Sequence, residues 1–203
     1  MREEISAYKR ERILEEAVKL FYERGFSGTT LDDIAGKLGV TKPFIYTHFR
    51  SKVELLEAIC RPTIEMSLAA IADAAEQNGS AADRLFRGMV AFTKVILTRQ
   101  ANIAVFFREE KNLSSAGLDD INALRKRFDR VLSDLLEEGM GSGEFRITDI
   151  RVAALAIGGM VSWAYTWYQP GGRLSIDDVG THMARYALGM VGVPAAEVAV
   201  TPP

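Results

Sequence analysis

The sequence predicts an all-α protein with a small N-terminal head and a larger helical body. Nearly every segment spaces its apolar residues at helical intervals, and no alternating apolar and polar run bounded by turn residues predicts a strand. Three closely spaced helices are predicted before residue 52, and longer helices after it. With 203 residues, of which 48% are hydrophobic, the chain is long enough to bury a core.

The first two helices of the head are marked by their ends. The first is predicted from Glu4 to Arg24, where Gly25 provides a C-terminal stop. Thr30 and Asp33 have the N-cap and N3 spacing that opens a second helix, and Gly39 ends it. The second helix is therefore only about two turns long.

A third helix is predicted from Thr41 through His48, with Thr41 as its N-cap. Ile45 and Phe49 fall on its buried side. A helix, a tight turn and a second helix form a helix-turn-helix unit, whose second helix enters the major groove of DNA. Hydroxyl, ammonium and imidazole groups bond phosphates and base edges, so the polar side of this helix is the candidate DNA contact: Thr41, Lys42, Tyr46, Thr47 and His48.

Lys52 extends this candidate site into the first turn of the next helix, which Ser51 and Glu54 cap. Its side chain and the free N–H groups there are expected to hold a phosphate. Capping alone also explains Thr41, and helix-end packing also explains His48.

The distribution of charge and the small numbers of cysteine and histidine residues limit the kinds of partner and site that this chain can have. The chain carries 25 basic and 27 acidic side chains, but residues 1–52 carry ten basic and eight acidic ones, so a polyanion would meet the N-terminal end. The single cysteine, Cys60, excludes an internal disulfide framework, and two histidines leave little for a metal site; no metal or cofactor is predicted. The N-terminus lacks the pattern of a secretory signal, which predicts a cytoplasmic location.

The body is predicted to contain six helices separated by turn formers. The uncharged stretch from Val152 to Tyr168 is interpreted as a buried core helix rather than a membrane span. We expect a DNA-binding domain at residues 1–52, a ligand-binding and dimerisation domain at 53–192 and a flexible tail at 193–203. The predicted helices are Ser51–Asn78, Ala81–Thr98, Ala101–Lys111, Leu118–Glu138, Asp149–Tyr168 and Ile176–Gly192.

The body has more large apolar side chains than a domain that only supports the DNA-binding head would need. Together they predict a ligand cavity between helices. The alternative for each aromatic residue is an ordinary core position. Arg99 and Arg108 near this cluster need an anionic partner, which is either a ligand or one of the carboxylates of Glu109 and Glu110. The candidate ligand contacts are Phe92, Arg99, Phe106, Phe107, Arg108, Trp163 and Trp167.

Small residues cluster on the predicted helix Asp149–Tyr168. Consecutive glycines inside a helix cost stability, so they suggest a close approach by another helix. A symmetric contact between two subunits, formed by this helix and the last one, would use them. The candidate dimer contacts are Ala154, Gly158, Gly159, Ser162 and His182.

The segment GFSGTTLDDIAGKLGVTKPFIYTHFRSKVELLEAI resembles the DNA-binding signature of TetR-family transcriptional regulators. The resemblance lies in a G-F-x-x-T-T start, an I-A-x-x-x-G-V turn, a helix ending Y-x-H-F and a following S-K-x-x-L. It implies a homodimer on a palindromic operator, with Thr47 standing where the family frequently has tyrosine. It also implies that DNA is approached by Thr30, Thr41, Lys42, Tyr46, His48 and Lys52.

Two later segments, FFREEKNLSSAGLDDI and WAYTWYQPGGRLSIDDV, resemble C-terminal domains of a catabolic branch of the same family. Several members of that branch respond to coenzyme A thioesters. The resemblance implies an acyl-CoA or related lipid acid as effector, with Arg99, Arg108, Arg173 and both tryptophans as contacts.

The combined interpretation is a ligand-responsive repressor released from its operator by a small apolar or acidic effector. Pro62 lacks the N–H that would bond Ala58, so a bend or hinge is expected there. No nucleophile triad, phosphate-binding loop or HExxH motif indicates an enzyme. The alternatives are a constitutive DNA-binding protein without effector and a helical interaction module.

Overall fold

The computed structural model describes the backbone of residues 2–194 and the side chains of residues 4–194. Within these residues the chain forms nine α-helices and two short 3-10 helices, with no strand, which confirms the predicted all-α class. The α-helices are α1 (Arg2–Arg24), α2 (Leu31–Leu38), α3 (Lys42–Tyr46), α4 (Lys52–Ala75), α5 (Ala81–Thr98), α6 (Gln100–Glu109), α7 (Ser115–Gly141), α8 (Ile150–Ser162) and α9 (Ile176–Met190). The 3-10 helices are Glu110–Asn112 and Trp163–Thr166.

The chain divides into two compact units, and the division falls inside α4 and α7. The first unit combines the chain up to Thr63 with Gln100–Ile121. The second combines Ile64–Arg99 with the chain from Asn122 onward. The first unit therefore contains α6 as well as the predicted head. Residues 195–203 of the predicted tail lie outside the described residues.

The core of the first unit forms around α1, which packs against α2 and α6. One apolar stripe of α1 and the inner side of α2 are buried, because each helix spaces its apolar side chains at three and four residues. Because α2 in turn contacts α3, this packing holds α3 in place. The buried residues are Ile13, Ala17, Leu20 and Phe21 from α1, and Leu31, Ile34 and Ala35 from α2.

In the second unit, α5 packs chiefly against α9 and also against α8. Glu144 holds the start of α5 by accepting hydrogen bonds from the N–H groups of Ala81 at 3.2 Å and Ala82 at 3.0 Å. Partial burial raises the pKa of Glu144, but these bonds, a bond from Ser142 and the charge of Arg84 outweigh it, so the pKa lies below its usual value. The carboxylate therefore stays ionised at a helix N-terminus.

The ends of α7 differ from the prediction because Gly117 and Gly139 pack against neighbouring side chains inside the helix and do not break it. Ser114 accepts a hydrogen bond from the Gly117 N–H at 3.0 Å, so the helix begins at Ser115 instead of Leu118. At the other end it continues past Glu138 to Gly141. A Cβ on Gly139 would overlap the Phe145 ring, so only glycine lets that ring pack against the helix.

The predicted helix Asp149–Tyr168 is shorter and less buried than expected. It ends at Ser162 and continues as the 3-10 helix Trp163–Thr166. Val152 is 61% exposed and Leu155 is 53% exposed, so only one side of α8 faces the core. Among the described residues, no single helix is long and apolar enough to cross a membrane, although Ala81–Thr98 and Gln100–Asn112 meet the length and composition requirement as a broken pair.

The packing of Gly139 leads to a stability prediction with a matched control. Gly139→Ala should lower the free energy of unfolding by about 1–3 kcal/mol, because the new methyl group displaces the Phe145 ring. Gly141→Ala should leave it unchanged or slightly raised, since a Cβ there meets nothing within 4 Å and alanine favours the helix. Urea denaturation followed by circular dichroism measures both, and equal effects would contradict this account of Gly139.

Candidate nucleic-acid interface

The turn between α2 and α3 is fixed by local bonds at both ends of α2. The Thr30 hydroxyl accepts from the Asp33 N–H at 3.1 Å, while the Asp33 carboxylate accepts from the Thr30 N–H at 2.8 Å, which confirms the predicted capping pair. Hydrogen bonds from the Thr30 hydroxyl and N–H lower the pKa of Asp33. Gly39 ends the helix at φ 67°, a left-handed conformation that favours glycine.

Two buried anchors hold α3, and its polar side is left exposed. Ile45, within the five-residue helix, and Phe49, three residues beyond its end, are both 0% exposed. The guanidinium of Arg10 lies 4.3 Å from the centre of the Phe49 ring. Of the predicted DNA contacts on this segment, His48 is half-buried and the others are exposed: Thr41, Lys42, Tyr46 and Thr47.

The predicted N-cap position of Thr41 is confirmed, but the predicted side-chain cap is not formed. Thr41 precedes α3 in an extended conformation, but its side chain makes no capping hydrogen bond. The Phe44 N–H donates instead to the Thr41 carbonyl oxygen at 3.0 Å, and Pro43 has no N–H to offer. The exposed hydroxyl of Thr41 is therefore not used by the helix cap.

Lys42 is paired within the protein. Its ammonium donates to Asp32 Oδ2 at 2.6 Å. This hydrogen bond and the negative charge of Asp32 raise the pKa of Lys42, so the ammonium stays protonated. Both groups are exposed, which places a basic side chain at the start of α3 beside an acidic one on α2.

The end of the α3 segment and the first turns of α1 line a shallow groove. The Phe44 ring meets the His48 ring edge-on at a centroid distance of 5.3 Å, and the ammonium of Lys9 lies 5.6 Å from the Phe44 centroid. The Thr47 hydroxyl donates to the Phe44 carbonyl at 2.7 Å. Polar groups of α1 therefore border the candidate interface, with Ile5, Ser6 and Lys9 lining the groove alongside Phe44, Thr47 and His48.

Lys52 has an internal role that the sequence did not indicate. Its ammonium donates to the carbonyl oxygens of Phe26 at 2.7 Å and Thr29 at 2.9 Å. It also lies 4.2 Å from the centre of the Phe26 ring. Through these contacts the Lys52 ammonium binds the turn between α1 and α2.

The candidate effector contacts are divided between the two units. Phe106, Phe107 and Arg108 belong to α6 in the first unit, where Phe106 is buried. The second unit contains Phe92, which is buried and packs on the Phe128 ring at 4.8 Å, and Arg99, which is half-buried at the end of α5. The second unit also contains two exposed tryptophans, Trp163 and Trp167.

Arg108 is paired with Glu109, one of the two carboxylates predicted as its partners within the protein. Its Nε donates to Glu109 Oε1 at 3.0 Å. The same guanidinium donates to the carbonyl oxygens of Phe21 and Tyr22 at the end of α1, the latter at 2.9 Å. This set of contacts accounts for the charge of Arg108 without a ligand.

The candidate dimer contacts lie on different sides of their helices. Ala154 is 2% exposed and faces the core of its own unit. A Cβ on Gly158 would meet Phe128 at 3.4 Å, whereas one on Gly159 would meet nothing within 4 Å. Ser162 is half-buried, and His182 is exposed with its ring stacked near Tyr186 at 6.4 Å.

An exposed apolar surface on α8 and α9 was only partly predicted. Sequence analysis found its small residues but not its large ones, although their spacing of three and four residues was visible. Because Gly159 and His182 lie among them, this surface extends the predicted dimer contact. The large exposed residues are Val152, Leu155, Tyr186 and Met190.

Two family profiles match the chain. Residues 13–59 match bacterial regulatory proteins of the tetR family. Residues 78–191, more than half of the chain, match the tetracyclin repressor-like C-terminal domain. The first match contains α2, α3 and the turn between them.

Known proteins of similar length share this architecture. The HTH-type transcriptional repressor KstR2 of Mycolicibacterium smegmatis is 29% identical over 185 residues, which cover 90% of each chain. The TetR-family regulator PfmR of Thermus thermophilus has a TM-score of 0.82 at 31% identity, over 88% of this chain and 97% of that one. AibR, solved in complex with isovaleryl coenzyme A and operator DNA, has a TM-score of 0.75 at 27% identity, over 91% and 98%.

These likenesses cover both the DNA-binding head and the helical body. A DNA-binding head is also what the exposed polar side of α3 and the TetR-like signature of its sequence indicate. The matching family model describes bacterial regulatory proteins, and the relatives are named as transcriptional regulators, so the chain is a regulator of the same kind. It belongs to the TetR family of bacterial transcriptional regulators.

Proposed function

We propose that this TetR-family protein is a ligand-responsive repressor that binds a palindromic operator as a homodimer. A small apolar or acidic effector, an acyl-CoA or related lipid acid, releases it from DNA. The observation that carries the proposal is the construction of α3, in which exposed polar groups stand on two fully buried anchors, Ile45 and Phe49. Base contacts need such fixed geometry.

On DNA, α3 enters the major groove with its exposed side toward the bases. The phenol of Tyr46, which is 49% exposed, and the hydroxyls of Thr41 and Thr47 can bond base edges or phosphates. Lys42 exchanges Asp32 for a phosphate, and His48 adds an imidazole at the end of the segment. Thr30 contributes through its cap, which fixes the start of α2.

The dimer is formed by the exposed apolar surface of α8 and α9. Val152, Leu155 and Gly159 follow one another at intervals of three and four residues, so they form one stripe of α8. Tyr186 and Met190 form the matching stripe of α9. Covering these side chains removes apolar area from water, and Gly159 permits a close approach of backbones.

The symmetry of such a dimer determines the form of the operator. A two-fold contact presents two copies of α3 in inverted orientation. Each copy reads one half-site, and in helix-turn-helix dimers the half-sites lie about 34–36 Å apart along the duplex. The operator is therefore an inverted repeat.

The effector class rests on the comparison with AibR, whose solved complex contains both isovaleryl coenzyme A and operator DNA. The candidate contacts are assigned to each unit separately: Phe106 and Phe107 in the first unit, and Trp163, Trp167 and Arg173 in the second. Pro62 lies inside α4, one residue before Thr63, where the first segment of the first unit ends. A bend at this position is the candidate hinge for the response to the effector.

The phosphate contact of Lys42 gives the first test. Lys42→Ala should reduce the slope of log affinity against log salt by about one per subunit, because one phosphate contact is lost. Lys94→Ala, which removes an equally charged exposed side chain from α5, should leave the slope unchanged. Fluorescence anisotropy with a random-sequence duplex at several salt concentrations measures both, and identical slopes would argue against α3 as the DNA contact.

The dimer contact gives the second test. Gly159→Arg should convert dimers to monomers without loss of helicity, because a Cβ at this position meets nothing within 4 Å in its own chain, whereas the long charged side chain fills the approach of the partner. Gly141→Arg, at a helix position that is equally open within the chain, should remain dimeric. Sedimentation velocity measures the assembly; a Gly159→Arg dimer of unchanged affinity would place the contact elsewhere.

The effector class gives the third test. Isovaleryl coenzyme A, longer acyl-CoA thioesters and the corresponding free acids should be screened for release of bound duplex and for a rise in melting temperature. At least one thioester or acid is expected to do both, since a ligand stabilises the form that it binds. Unchanged DNA binding with every compound would discard this effector class.

A further inference from the structure

The turn between α1 and α2, residues 25–30, is held by charged side chains from two other helices of the same unit. The Phe26 N–H donates to Glu109 Oε1 at 3.1 Å, while its carbonyl oxygen accepts from Lys52 at 2.7 Å. Both backbone polar groups of Phe26 are therefore bonded to ions, one at the end of α6 and one at the start of α4. Charge-assisted bonds of this kind are stronger than neutral ones.

The end of α1 is bonded to the same place on α6. The last carbonyl groups of a helix lack partners within the helix, and arginine side chains can supply them. Arg108 does so for Tyr22, it adds a second bond to the Phe21 carbonyl oxygen, which also accepts from the Gly25 N–H at 3.0 Å, and it is joined to Glu109. Arg108 and Glu109 together form what we call the α6 latch.

Glu109 is the centre of the latch because it is buried and fully bonded. Its side chain accepts from the Phe26 N–H, from Arg108 Nε at 3.0 Å and from Asn112 Nδ2 at 2.9 Å. A Cβ on Gly25 would lie 3.2 Å from Glu109 Oε1, so the turn lies directly against the carboxylate. A buried charge with such partners cannot move away from them without a large desolvation cost.

The latched turn leads directly into the DNA-reading part of the chain. It ends at Thr30, the N-cap of α2, and α2 positions α3 through the Gly39 turn. Phe106 and Phe107, two candidate effector contacts, immediately precede the latch on α6. A displacement of α6 would therefore act on the turn before it acted on any other part of the helix-turn-helix unit.

We propose that Arg108 and Glu109 are positioning residues that hold the turn, and α3 behind it, in the operator-binding arrangement. This inference rests on the proposed DNA-binding function. It assigns the latch no contact with DNA.

The test compares Glu109→Ala with Glu110→Ala in the full-length protein. Both variants remove one negative charge, which by itself favours DNA binding. Glu109→Ala should nevertheless weaken binding to a duplex selected from random sequence by about tenfold or more, whereas Glu110→Ala should not. Glu109→Gln, which retains an acceptor for the Phe26 N–H, should restore part of the affinity.

Amide hydrogen exchange of residues 25–30, measured without DNA or effector, supplies an independent readout. Glu109→Ala should speed exchange there by about tenfold or more while leaving α5 and α9 unchanged. If this variant does not fold, Arg108→Met, which removes the bonds to Phe21 and Tyr22, undergoes the same two measurements with the same expected direction.

Unchanged exchange in residues 25–30, or operator affinity equal to that of Glu110→Ala, would overturn the inference. If the wild-type protein showed no sequence preference for any DNA duplex, that result would instead contradict the proposed function. The exchange measurement would still test the latch in that case.

Discussion

Burial of Ile45 and Phe49 is the constraint on which the candidate interface depends. Isolated helices shorter than about 12–15 residues are marginal in water, so the five residues of α3 cannot hold their shape alone. The two anchors, each 0% exposed, supply the packing that the short helix lacks. With the inner side fixed in this way, the outer side chains are held in one orientation, and direct readout of bases requires that.

The fold of the head could be predicted because its signals are local. The Thr30–Asp33 cap and the Gly39 turn lie within a few residues of the helix ends that they define. The ends of α7 could not be predicted in the same way. Gly139 looks like a break in the sequence, but its role depends on a ring that folds back from Phe145.

The exposure of a site residue could be predicted where it depends on residue type and helical spacing. Its hydrogen-bond partners could not be predicted where they lie far away in the sequence. The exposed side of α3 follows from helical periodicity. The predicted phosphate contact of Lys52 follows from its place at a helix start, whereas its partners within the chain lie 26 and 23 residues away and have no local signal. The partners of Arg108 on α1 are 87 and 86 residues away, a separation that no local pattern encodes.

The central claim is that α3 reads DNA sequence as part of a two-fold dimer. Selection of bound duplexes from a random-sequence pool by the purified protein tests it most directly. The account predicts enrichment of one inverted repeat, and it predicts that Tyr46→Ala alters the preference at symmetrically placed positions of that repeat. A pool that shows no enriched sequence after repeated rounds at low salt would contradict it.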